Sequence, residues 1–250
     1  MKKLLIIFIL LSSFGWVTIT IAGQTISENE IKGKNEKLLE GGIKKLTDRS
    51  FKESIDKYFD PIIQSYSHHY GNNGKRMYCS RNSEETLFYL LDAADKNEEA
   101  IAISQVWAQA YYYKGYAYIE LGNIEAAKTN LKKALELSPS NSVYLAELGY
   151  IYVTERKLSE ALELYDRAEE FANMFTPEGS KNAELMKVLH GSGYILIELG
   201  RLDEAEKKYR KCLKIDANDQ KALNELKYIK DLRNKKIPNI ICIKSDRQAP

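Results

Sequence analysis

Cysteine is scarce in this 250-residue chain: Cys79, Cys212 and Cys242 are the full set. Three is an odd number and too few for a disulfide-stapled scaffold. Cys212 falls at a small interior position and reads as a free buried thiol. A Cys79–Cys242 bridge is neither required nor excluded by sequence. Histidine is equally rare, with only His68, His69 and His190. Adjacent histidines leave a helix on different sides and make a poor metal pair. No HExxH, GxSxG, Walker loop or CxxC occurs. No enzyme, metal or cofactor is therefore expected. Excess charge is missing too: 37 Lys+Arg face 35 Asp+Glu, and without Lys2 and Lys3 the signs balance. Such a chain has no overall field to hold nucleic acid. Beyond residue 22 no run is apolar enough to cross a bilayer, so the mature chain is not expected to insert into a membrane.

The one long apolar run is at the N-terminus. Lys2 and Lys3 precede an unbroken apolar stretch, Leu4 to Leu11, and small residues at Thr20 and Ala22 suit cleavage before Gly23. Residues 1–22 are expected to be a signal peptide, which makes the body periplasmic or secreted. Residues 4–22 are also just long enough to be retained as an anchor. Residues 23–34 are polar and expected to be flexible.

What the chain has in quantity is helical periodicity. Gly115, Tyr118, Ala127 and Ala134 recur 34 residues later as Gly149, Tyr152, Ala161 and Ala168, and again in part as Gly193, Ala205 and Tyr209. Within a unit, Tyr111, Gly115 and Tyr118 lie on one helix face, and Ala127, Leu131 and Ala134 on another. Gly122 can end the first helix, Pro139 closes the second, and Asn141 can cap the next. The expected class is all-α, an α-solenoid of stacked antiparallel helix pairs: units 108–141, 142–175 and 186–219, a capping helix 220–234 and a tail 235–250. Ten extra residues separate the second and third units. Lengthening a connection costs only about 0.6 kcal/mol per doubling. They are expected to form a loop and then a longer first helix from about Ser180. Residues 35–103 read as an N-terminal helical region with a degenerate repeat over 35–68, kinked or restarted at Pro61. Residues 70–82 read as a loop, and Asn82 with Glu85 as a capping box for a helix from Ser83 to about Asp95.

These units resemble the tetratricopeptide repeat, of an exported bacterial type. The family's small, large and proline positions match at Tyr111, Gly115, Tyr118, Ala127, Leu131, Ala134 and Pro139. The second unit departs at Arg156 in its turn and at Asn173 in the proline position, and the third has Ala217 in place of proline. The resemblance implies a concave face lined by the first helices. Its candidate partner-binding residues here are Tyr112, Tyr116 and Ile119; Tyr150 and Val153; His190, Tyr194 and Ile197; and Tyr228. Tyr116, Tyr150, Tyr194 and Tyr228 occupy one position in four successive units, so a ladder of phenol rings is expected to hold a peptide or protein partner. The alternative is that these rings only pack adjacent helices together. The Lys and Asn that some members use to grip a chaperone C-terminus are replaced by Tyr112 and Tyr116, or by Leu39 and Ile43 if the degenerate unit counts first, so that ligand is disfavoured. Two other readings stand beside the scaffold: homo-oligomerisation through the cap helix and tail, and chemistry at His68, His69 and Cys79.

Overall fold

The computed structural model describes residues 18–21, 24–71 and 74–234. The tail 235–250 and the expected signal peptide, apart from Thr18–Ile21, lie outside the described residues. β1 (Thr18–Ile21) pairs antiparallel with β2 (Gln24–Ser27). α1 (Glu28–Thr47) follows directly, so within the segment expected to be flexible residues 24–27 are strand and residues 28–34 are helix. The correction has a physical cause: Ile31, Asn35, Leu39 and Leu46 share one buried face, and Asn35 Nδ2 donates to Ser65 Oγ at 3.0 Å.

The returning arm of this N-terminal hairpin is α2 (Phe51–Ser54), a π-helical turn (Ile55–Phe59) and α3 (Asp60–Tyr70). Pro61 sits in the first turn of α3, where its missing N–H costs nothing, and the wide turn just before it absorbs the extra residue. β3 (Arg76–Ser80), α4 (Ser83–Asp95) and β4 (Ala100–Ser104) come next. β3 and β4 pair in parallel, Arg76 opposite Ala100 through Ser80 opposite Ser104. A parallel pair needs a crossover, and α4 supplies it.

The remainder is an α-solenoid: α5 (Val106–Glu120) on α6 (Ile124–Leu137), α7 (Ser142–Thr154) on α8 (Leu158–Phe175), α9 (Glu178–Glu198) on α10 (Leu202–Ile215), and α11 (Gln220–Arg233) against α10. α9 starts at Glu178 instead of about Ser180, because Thr176-Pro177 alone makes the turn. In each hairpin the first helix ends on the same two backbone bonds, for example Gly122 N to Ile119 O at 2.9 Å and Asn123 N to Tyr118 O at 2.8 Å. That closure needs a left-handed residue. Gly122 and Gly200 supply it at φ 74° and 73°, while Arg156 takes it at φ 62° with a side chain attached, at about 1 kcal/mol of strain.

The pairs hold because a small residue on the first helix receives a large side chain from the second. A Cβ on Gly115 would meet Leu131 Cγ at 3.0 Å, and one on Gly193 would meet the Tyr209 ring at 2.7 Å. The Tyr165 ring is wedged twice: a Cβ on Gly149 would lie 2.8 Å from it, and one on Gly191 2.1 Å. The N-terminal hairpin repeats the device, with Gly41 and Gly42 beneath Tyr58 and Phe59. Gly191→Ala is expected to cost about 1–3 kcal/mol by overpacking, read as a lower urea midpoint. Gly179→Ala, with open space around it, should change stability by less than about 1 kcal/mol, in the stabilising direction.

Candidate functional site: the first-helix face and a buried polar anchor

The four tyrosines expected to line a common face each sit on the first helix of a unit or on the cap helix. Tyr116 on α5, Tyr150 on α7, Tyr194 on α9 and Tyr228 on α11 are each half-buried, as is Ile119. Burial raises the pKa of Tyr116, which keeps its hydroxyl protonated and able to donate. Ile43, Leu46 and Thr47 of α1 meet Tyr112, Tyr113 and Tyr116 around a cleft of about 230 Å³, room for one side chain but not for a drug-sized ligand.

Other expected site residues are placed differently. The Tyr112 ring stacks on Tyr144, centroids 4.8 Å apart at 22°, and Tyr113 meets its edge. Val153 and Ile197 are buried at 5% and 7% exposure, so they serve packing and present little surface. His190 is buried as well, with Nε2 2.8 Å from Asp219 Oδ2. The cap helix brings Asp219 over it, which removes His190 from the partner face.

The second assembly was not anticipated. Arg81, in the turn after β3, has a side chain only 8% exposed. Its Nη2 lies 3.1 Å from Glu85 Oε1, and its Nη1 lies 3.4 Å from Glu184 Oε2. Glu85 is fully buried and also accepts from the Arg81 backbone N–H at 2.7 Å, Ser140 Oγ at 2.8 Å and the Tyr89 hydroxyl at 3.0 Å. Glu184 accepts from Thr176 Oγ1 at 2.7 Å and Ser142 Oγ at 2.5 Å. Asn82 caps α4 by accepting from the Glu85 amide, and its side-chain amide donates to Phe175 O at 2.7 Å. One guanidinium with two carboxylates thus fastens the β3–α4–β4 insertion to the turns between repeats. Of the expected capping box the Asn82 half forms, while the Glu85 carboxylate takes the Arg81 N–H in place of that of Asn82; the burial of Arg81, about 100 residues from Glu184, had no local signal.

No nucleophilic centre forms at Cys79. Its thiol is free, fully buried and pushed up to about 12 by that burial. His68 is exposed at the end of α3, and His69 Nδ1 lies 2.7 Å from Ser65 O, so neither ring addresses Cys79. A cleft of about 440 Å³ opens between Tyr66 and Tyr70 on one side and Ser80, Arg81 and Ser104 on the other. Tyr66 Oη and Ser104 Oγ are 3.4 Å apart across it, which is not a catalytic constellation. Among the described residues, no helix is long and apolar enough to cross a membrane.

Comparison with known proteins agrees with this architecture. The tetratricopeptide repeat matches residues 108–141 and 187–219. The middle unit, with Arg156 and Asn173, lies outside the match although α7 and α8 pack in the same way. The type IV pilus assembly protein PilF of Pseudomonas aeruginosa is 36% identical over 96 residues, 38% of this chain and 34% of that protein. A solved PilF structure superposes with a TM-score of 0.54 at 10% identity, covering 82% of this chain and 71% of that one. Anaphase-promoting complex subunit 3 of Schizosaccharomyces pombe is 30% identical over 104 residues, 42% of this chain and 16% of that protein. The first TPR of Spaghetti (RPAP3), solved bound to an HSP90 peptide, gives a TM-score of 0.44 at 24% identity, covering 51% of this chain and 93% of that one. The chain spans about a third or less of the length of the curated relatives it matches. Two segments of the chain thus match the tetratricopeptide repeat, and its fold is that of a tetratricopeptide-repeat solenoid.

Arg81→Ala would leave the Glu85 carboxylate buried without its cation. We expect a loss of about 3–5 kcal/mol in equilibrium unfolding. Arg81→Lys should recover only part of it, since an ammonium cannot reproduce the planar fork that meets two carboxylates.

Proposed function

We propose that this chain is a non-catalytic scaffold that holds a peptide or protein partner against the tyrosine face of its first helices. The observation that carries the reading is the half-burial of Tyr116, Tyr150, Tyr194 and Tyr228 at one repeat position on the alternate helices α5, α7, α9 and α11. A half-covered phenol is anchored by its neighbours and still offers ring and hydroxyl to a ligand, at little further entropic cost. The buried thiols and the bonded carboxylates leave no competing centre of reaction at those sites. The export signal expected over residues 1–22 supports a partner in the periplasm or outside the cell, met either by a released body or by one held at its N-terminus.

Peptides selected on the purified chain from a displayed library test this reading. Each tyrosine removed at a hot spot costs about 2 kcal/mol, or about 30-fold in affinity. Tyr116→Ala with Tyr150→Ala should therefore weaken the selected peptides by at least that factor and leave far-ultraviolet circular dichroism unchanged. Equal affinity for the double variant would refute the assignment.

One observation favours self-association as a second reading. The inserted helix α4 exposes Leu87 (56%), Leu90 (37%) and Leu91 (47%), an apolar strip of the kind that marks interfaces. The cap helix first considered for this role exposes only Leu223 among its large apolar residues. On this reading the chain sediments as a dimer that Leu87→Asp with Leu91→Asp turns into a monomer. A wild-type monomer at high concentration removes it.

A further inference from the structure

The third repeat and its cap bring together three side chains that can ligate a metal. His190 comes from α9, Cys212 from α10, and Asp219 from the N-cap of α11. One donor atom of each lies within 4.8 Å of the other two. All three are more than nine-tenths buried, at 8%, 0% and 9% exposure. Asp219 Oδ1 accepts from the Lys221 and Ala222 amides, while Oδ2 faces His190 Nε2 at 2.8 Å. Among the described residues, His190 Nδ1 has no hydrogen-bond partner. A carboxylate, an imidazole and a thiol taken out of water together are costly unless something compensates them.

We propose that His190, Cys212 and Asp219 bind a divalent ion of the zinc class, which clips the cap helix to the third repeat. The donor set argues for that class: one sulfur, one nitrogen and one oxygen suit borderline-soft Zn²⁺, whereas Ca²⁺ and Mg²⁺ take oxygen shells. A tetrahedral ion with Zn–S of about 2.3 Å and Zn–N of about 2.0 Å sets its ligand atoms about 3.5 Å apart. Small side-chain rotations gather the present spread to that value and open the 2.8 Å contact. Three protein donors leave the fourth position to water. Binding forms the Zn–S bond as the Cys212 thiol gives its proton to solvent. The ion's two charges then meet one thiolate and one carboxylate, so the buried site is neutral overall. Uptake displaces the Cys212 thiol proton, so binding tightens as pH rises.

The repeat provides a variant that keeps the fold. Cys212 occupies the position filled by Ala134 and Ala168 in the other units, both fully buried. In the full chain, stripped with a chelator and kept reduced, Co²⁺ should produce a thiolate-to-cobalt charge-transfer band that saturates at one ion per chain. Added Zn²⁺ should raise Tm with each tenfold increase in free ion. Cys212→Ala should keep its helix content and lose both responses, His190→Gln should weaken both, and Cys242→Ser should keep both. A wild-type chain with no band and no Tm response overturns the proposal, as does a band that survives Cys212→Ala.

Discussion

The structure depends on one steric bargain: a residue with almost no side chain on one helix, and a ring or leucine from the next helix filling the space above it. Gly149 and Gly191 admit the Tyr165 ring from two sides, so a single side chain sets the spacing of three helices, α7, α8 and α9. Interiors packed at crystal density do not forgive an added methyl group. The same arrangement at Gly41 and Gly42 shows that the N-terminal hairpin is built on the repeat's logic, although its second arm is broken by a π turn and by Pro61.

Much of this was legible in the sequence. A period of 34 residues with small and large residues at fixed offsets places the three pairs and their turns. Asn82 and Asn141 each accept from amides at the start of the following helix, as their positions in sequence led one to expect. The misses share a cause, which is that they depend on contacts distant in sequence. β3 and β4 are five residues each and become strands only through each other. Nothing near Arg81 announces that Glu184, on the extra residues before the third repeat, will share its guanidinium. His190 has the right position for the partner face, but periodicity cannot show that the N-cap of the cap helix lies across it.

The candidate sites differ in the same way. The proposed tyrosine face follows from the repeat and could be read by counting. The His190, Cys212 and Asp219 cluster arises where the repeat ends, because a terminal unit packs against a cap that need not obey the pattern. Departures from periodicity are therefore where individual chemistry is to be sought in this chain.

Repeat arrays are held by nearest-neighbour contacts, and such chains can peel from their ends one unit at a time. The Arg81 cluster changes that accounting. It joins a turn before the first repeat to the start of the third, with Ser140 of the connection after the first repeat and Ser142 at the start of α7 in the same network. An end that loosens must break this rivet before the middle can follow, and breaking it exposes a buried carboxylate. A quasi-linear stack thereby acquires the all-or-none character of a globular domain.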